Sequence, residues 1–363
     1  MTLDTLDQID PRRPATPALL RRTGPGTLPA KMHPTPAPAV DPAFERDVLA
    51  GLASPRKAIP CLWLYDRRGS ELFEDITQLA EYYPTRTETR LLSDLAPEVA
   101  ARVGEGASLV ELGSGASVKT RLLLDAMPHL ARYLPVDISG DFLHDAVAGL
   151  RRDFPGLPVQ PIVADFSRPF EVPGDDGSPR LGFFPGSTIG NFTPEAAVAL
   201  LRNFAQALGP GAWLLIGVDT TQDPARLVPA YDDARGVTAA FDLNLLARIN
   251  RELGGDFDLD AFHHEARWNA AEGRIEMHLV SDRAQAVMVQ GQRFDFGAGE
   301  TIHTENAYKY ADPAFRKLAA DAGWRCVMSW RDTDASGFTV YLARHDDVAN
   351  DAPSVEVGVR PQA

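Results

Sequence analysis

The chain alternates short apolar runs with longer stretches of helical periodicity. Ser108–Leu112 is an apolar run that ends in Gly113-Ser114-Gly115. A helix follows, carrying Leu122, Leu123 and Leu124 on to Met127. Residues 133–137 read as a second strand despite Pro135, and residues 142–154 as an amphipathic helix. A third strand is expected at 159–164, closing at Asp165, and a fourth at 182–186. The helix Pro194–Leu208 and the strand Trp213–Asp219 complete the series. Strands that alternate with helices imply parallel βαβ units and a doubly wound α/β sheet.

The end of the chain adds a hairpin. A helix at 313–322 stops at Gly323, and strands at 326–331 and 338–344 flank the turn-rich segment 332–337. A connection that short joins antiparallel strands. A parallel sheet finished by an antiparallel hairpin is the architecture of the large class of methyltransferases that use S-adenosylmethionine. Two segments stand outside this sheet. Residues 222–308 contain an expected helix at 231–253 and strands at Arg274–Ser281 and 284–289; residues 43–90 precede the sheet. Together they make a second, α+β, substrate-binding domain. The expected cofactor-binding domain is then 91–221 with 309–345. Residues 1–42, rich in proline, and 346–363 are expected as flexible tails.

Composition narrows the class. Of 363 residues, 44% are hydrophobic and 24% charged, which suits a globular protein with a sizeable core. The formal net charge of −14 argues against a general nucleic-acid binder, which needs a basic face. No apolar run approaches the ~20 residues of a membrane span, and the start of the sequence lacks an apolar signal core. A cytoplasmic monomer with no membrane partner is expected. Cys61 and Cys326 form neither a short metal-ligand pair nor a disulfide framework, and no metal is expected.

Candidate chemistry collects at strand ends. Gly113, just after the first strand, permits close approach of a ligand to the backbone. The string lacks the third glycine of the dinucleotide fingerprint and the spacing of a phosphate-binding loop. Asp137, after the second strand, is placed to accept the hydroxyls of a ribose. Asp165-Phe166, after the third, pairs a carboxylate with an aromatic ring suited to an adenine. Each acid has a bland alternative as a helix cap or turn residue, but their sequence at successive strand ends favours adenosine binding. Asn191 follows the fourth strand, where its amide faces the ligand crevice. Tyrosines cluster in 65–73 and 81–88, where composition cannot choose between core and ligand contact.

Taken together, the strings at 65–73, 81–88, 111–124, 185–191, 275–279 and 302–310 resemble the L-histidine Nα-methyltransferases of ergothioneine biosynthesis, over roughly residues 44–344. The resemblance implies transfer of three methyl groups from S-adenosylmethionine to the α-amine of histidine, giving hercynine. It implies that Gly113, Lys119, Asp137, Asp165 and Phe166 hold the cofactor, with Tyr65 closing over it. It places Tyr82, Asn191 and Tyr231 on the amino and carboxylate groups, Tyr82 and Asn191 beside the reacting amine. Met277 would line the side-chain pocket and Glu305 would bind the imidazole. One position departs from the family pattern: Ala307 stands where a serine usually supplies a second polar contact. Loss of that bond is worth on the order of 1 kcal/mol. The competing expectation is an Nα-methyltransferase for another amino acid, such as tryptophan or tyrosine.

Overall fold

A computed structural model of the chain describes residues 40–113, 118–138, 140–174, 177–333 and 337–346. The proline-rich segment 1–39, Ser114 and Gly115 of the first glycine turn, and residues 347–363 lie outside the described residues. All described residues belong to one compact unit beginning at Val40.

The strands in chain order are β1 (Ser108–Leu112), β2 (Arg132–Asp137), β3 (Ile162–Val163), β4 (Arg180–Phe184), β5 (Trp213–Asp219), β6 (Phe262–Asn269), β7 (Arg274–Ser281), β8 (Gln285–Val289), β9 (Gln292–Phe296), β10 (Thr301–Tyr308), β11 (Trp324–Arg331) and β12 (Phe338–His345). Among the described residues, seven of them form one sheet in the order β3-β2-β1-β4-β5-β12-β11. β1 pairs in parallel with both β2 and β4, so the chain reverses its direction of travel across the sheet at β1/β4. β12 enters antiparallel between β5 and β11. This is the doubly wound sheet with a terminal hairpin that the pattern predicts.

Alternate residues explain why it is covered on both faces. Along β5, Leu214, Ile216 and Val218 enter one apolar cluster while Trp213 and Leu215 enter another. The helices α1 (Pro42–Ala53), α2 (Arg67–Thr77), α3 (Tyr83–Val103), α4 (Val118–Ala126), α5 (Gly140–Asp153), α6 (Pro194–Leu208), α7 (Pro224–Tyr231), α8 (Val237–Leu253) and α9 (Asp312–Asp321) divide accordingly. α6 and α9 cover the first face; α3, α4 and α5 cover the second. α6 begins where the sequence says it should: Thr193 Oγ1 accepts from Ala196 N at 3.3 Å and Pro194 occupies the first turn.

A third cluster unites α1, α2, α7 and α8 with strands from two small sheets, β10-β7-β6 and β8-β9. It draws on the segments before and within the large sheet. No helix among the described residues is long and apolar enough to cross a membrane.

Two expectations need correction. The helix expected at 231–253 is two helices, α7 and α8. Asp233 accepts from the backbone N–H groups of Arg235, Val237 and Thr238, and Gly236 adopts φ of 72°, so the chain restarts there. The third strand shrinks to two residues, because Pro158 and Pro161 supply no backbone donor on either side of Val159 and Gln160. At the start of the described residues, Asp41 caps α1 by accepting from Ala43 N at 2.8 Å, and Pro42 opens the helix.

Candidate active site

The carboxyl ends of the parallel strands hold the cofactor candidates. Gly113 follows β1 with φ of 76°, a left-handed conformation that L-residues rarely adopt. A Cβ there would sit 3.4 Å from the Phe166 ring, so glycine keeps the backbone open beneath that ring. Phe166 is itself braced edge-on by Phe184, with centroids 5.7 Å apart. Asp137 closes β2, half-buried, and its negative charge helps push the neighbouring Glu111 carboxyl upward, towards its neutral form. Glu111 is fully enclosed and pushed up to about 7 by burial, although Thr120 and Tyr133 donate to it. Asp165 bends its own loop by accepting from Ser167 N at 3.0 Å.

Lys119, near the start of α4, points to Glu88 of α3 at 2.5 Å. The same Glu88 oxygen accepts from Gly186 N at 2.8 Å, which ties the loop after β4 to α3. That loop leads into a short helical turn, Thr188–Asn191, packed on β10 so tightly that a Cβ at Gly190 would lie 2.7 Å from Tyr308 O.

A cavity of about 760 Å³ opens where these parts meet. Asp165, Phe166 and Asn191 line it from the sheet side, and Glu305 from β10. Asn306 also lines it, as does Trp63, a residue that sequence reasoning did not single out. Four of the expected site residues, Asp165, Phe166, Asn191 and Glu305, drawn from elements far apart in sequence, therefore share one wall system.

Glu305 is the unusual group. It is buried, and its Oε2 has no hydrogen-bond partner. Burial, reinforced by the nearby Asp242 carboxylate, pushes it up to about 8, against the pull of Lys309 and His264. Met277 pairs directly with Glu305 across β7 and β10, and Ala307 lies two residues further along the same strand. All three side chains thus share one face of the β7–β10 pair. Met277 and Ala307 belong to the apolar cluster that also contains Tyr82 and Tyr231.

The tyrosines form a connected aromatic group. Tyr65 packs edge-on against Phe73 and Phe241, at 5.6 and 5.4 Å between centroids. Phe73 reaches Tyr82, which packs edge-on against Tyr231 at 6.1 Å. Behind Tyr231 lies a polar network that the sequence did not reveal. Lys309 Nζ donates to Tyr231 Oη at 2.8 Å and pairs with Asp219 at 2.9 Å. Tyr83 Oη donates to the same Asp219 oxygen at 2.5 Å. Because Lys309 has only protons to give, Tyr231 Oη accepts from it, which leaves the phenol proton free to be donated elsewhere. Burial, with Asp219 and Glu305 near, raises Tyr231 well above its ordinary range, so that proton stays in place.

The chain was compared with known proteins. Residues 44–345 match the family model described as histidine-specific methyltransferase, SAM-dependent. The histidine N-alpha-methyltransferase of Mycolicibacterium smegmatis is 46% identical over 306 residues, covering 83% of this chain and 94% of that protein. The enzyme of the same description from Mycobacterium tuberculosis is 45% identical, with the same coverage. Ergothioneine biosynthesis protein 1 of Neurospora crassa is 32% identical over 76% of this chain and 32% of its own, longer, length.

Proposed function

The chain belongs to the histidine-specific, S-adenosylmethionine-dependent methyltransferases, and on that premise we propose that it methylates the α-amino group of free L-histidine in three rounds, giving hercynine for ergothioneine biosynthesis. Glu305 carries the histidine reading. A buried carboxyl with a free oxygen is costly unless a partner arrives. The imidazole of histidine is such a partner, and Glu305 faces a cavity into which it would fit.

The strand-end residues fit the cofactor. The open backbone at Gly113 beneath Phe166, and the carboxylates at 137 and 165, suit an adenosyl group. Asp137 would take the ribose hydroxyls, Asp165 and Phe166 the adenine, and Tyr65 would cover the site. Lys119 acts through Glu88, holding the loop after β4 in place. Bound there, S-adenosylmethionine supplies a methyl group on a sulfonium, whose departure needs no strong acid.

The protein's own task is orientation and exclusion of water. Tyr231, with its proton directed away from Lys309, donates to the substrate carboxylate. Tyr82 and Asn191 fix the amine. A free α-amine titrates near ~8, so only a modest shift is needed to expose its lone pair. The aromatic group Tyr65, Phe73, Phe241, Tyr82 and Tyr231 encloses the site. Residues 43–90 and 222–308 then bind substrate, and 91–221 with 309–345 bind cofactor.

Ala307 favours a second reading, in which another amino acid such as tryptophan or tyrosine is methylated. It is buried among apolar side chains and presents no polar atom. Glu305 weighs against this reading, since an apolar ring would leave its carboxyl unpaired. Mass spectrometry of the purified protein with S-adenosylmethionine and a panel of free amino acids decides between them. Gains of one, two and three methyl groups on histidine alone support the first reading. An inert histidine beside a methylated tryptophan or tyrosine supports the second.

A further inference from the structure

Among the described residues, Glu276, His278 and His303 bring one ligand atom each within 4.8 Å of one another. Strand register creates the cluster. His278 of β7 pairs directly with His303 of β10, and Glu276 lies two residues from His278 on the same face. Thr304 is an extra residue in β10, a bulge between the pairs His303↔His278 and Glu305↔Met277. It turns His303 to the face opposite Glu305. The cluster therefore lies on the face of the β7–β10 pair opposite Glu305, with His303 also at the rim of the cavity.

The local chemistry points to a cation. The two imidazoles stack with centroids 4.8 Å apart. His278 is 7% exposed and its Nδ1 has no partner. Its Nε2 lies 3.2 Å from Glu276 Oε2. Arg274 and Asn269 both engage the other Glu276 oxygen, Oε1, at 2.6 to 2.9 Å, so neither occupies Oε2. His303 Nε2 lies 3.0 Å from Glu305 O. A carbonyl only accepts, so the His303 proton sits on Nε2 and Nδ1 keeps its lone pair. A ring backed by a backbone carbonyl, as His303 is, is a common orientation for a metal-bound histidine.

We propose that Glu276, His278 and His303 form a binding site for a divalent transition-metal ion of the Zn²⁺ type. Two imidazole nitrogens and a carboxylate oxygen are a familiar donor set for such ions, with a position left for water. The nearby Arg267 and Arg274 guanidiniums oppose a second positive charge, which makes the ion exchangeable rather than permanent. An ion that turns the His303 ring loads the strand segment carrying Glu305. That coupling, unlike the site itself, rests on the role of Glu305 proposed above.

The test uses the full-length chain, free of any tag and stripped of metal by dialysis against a chelator. Co²⁺ is titrated and its visible absorption followed. One saturable equivalent, displaced by Zn²⁺, is expected. Binding weakens at least tenfold in Glu276→Gln and in His278→Gln, but persists in His263→Gln, which alters the exposed His263–Asp282 pair. Glu276→Gln suffices if the His278 variant fails to fold. Absence of a saturable band, or a site that persists in the Glu276 variant, overturns the proposal. Zn²⁺ should also raise KM for histidine in the parent but not in Glu276→Gln. If Co²⁺ binds as expected and KM does not move, the metal site stands and its coupling to Glu305 falls.

Discussion

His264 Nδ1 lies 2.8 Å from Asp242 Oδ2, with both side chains fully buried. The other ring nitrogen, Nε2, lies 2.8 Å from Tyr231 O. Carbonyl and carboxylate oxygens both accept, so both ring nitrogens donate and His264 is an imidazolium. Burial is the largest single influence and would lower this histidine, yet the bond and charge of Asp242, the Tyr231 carbonyl and the charge of Asp232 together outweigh it and the net shift is upward. A buried cation therefore pins the end of α7, at Tyr231, against β6 and α8.

Replacing it with glutamine should cost about 3 kcal/mol, since the partner carboxylate is left buried and unpaired. The folded-state value lies above the unfolded one. The stabilisation is then complete below ~6.5 and fades as pH rises through the folded value. Urea unfolding of parent and His264→Gln at pH 6 and pH 9 should show the larger gap at pH 6. A gap of equal size at both would rule out the imidazolium.

Glu305 is shifted the same way, upward, although it is a carboxyl group. Its folded value of about 8 lies above the ordinary 4.5. Stability of the substrate-free protein should therefore fall as pH rises from 4.5 through about 8. Thermal melting of Glu305→Gln should lack that decline. The Glu305→Ala variant should lose roughly 100-fold in kcat/KM for histidine, about 3 kcal/mol, as expected for a hydrogen bond to a charged group. Unchanged kinetics would separate Glu305 from imidazole recognition.

Ala307→Ser places a hydroxyl on the face shared by Met277 and Glu305. If that face holds the imidazole, KM for histidine should fall about fivefold, the equivalent of ~1 kcal/mol. Steady-state kinetics with histidine would check it. A rise in KM would mean that the hydroxyl meets only the apolar cluster.

Lys309→Met leaves Asp219 with a buried negative charge and removes the donor to Tyr231. It should destabilise the fold by about 3 kcal/mol or more. Tyr231→Phe keeps the Lys309–Asp219 pair, so it should spare most of the stability and raise KM for histidine about tenfold. Chemical denaturation alongside kinetics distinguishes the two. Equal instability of both variants would make Tyr231 a purely structural residue.

The large sheet was legible because its signals are local. Trp213–Asp219 is a continuous apolar run, and Pro194–Leu208 carries its own cap. The strand-end residues Gly113, Asp137 and Asp165 follow from the same pattern. The small sheet was not legible to the same degree. β6 reads Phe-His-His-Glu-Ala-Arg-Trp-Asn, which hides a strand behind charged and polar residues. β10 breaks the two-residue period at its bulge. Nor does any spacing reveal that Lys309, Asp219, Tyr83 and Tyr231 meet, since each comes from a different element. Such encounters are decided by how the elements pack.

The bulge at Thr304 sets a rule for change along β10. Its presence lets residues 303 and 305, which an unbroken strand would aim alike, serve opposite faces. Deleting this one residue, with every side chain otherwise kept, would swing Glu305 off the cavity wall. That wall is thus fixed by a count of residues as much as by their identity. Substitutions at 305 and 307 can retune the pocket, whereas a one-residue insertion or deletion between 301 and 305 would dismantle it. In tracing how substrate choice drifts among relatives, the length of this segment is a sharper guide than the percentage of matching letters.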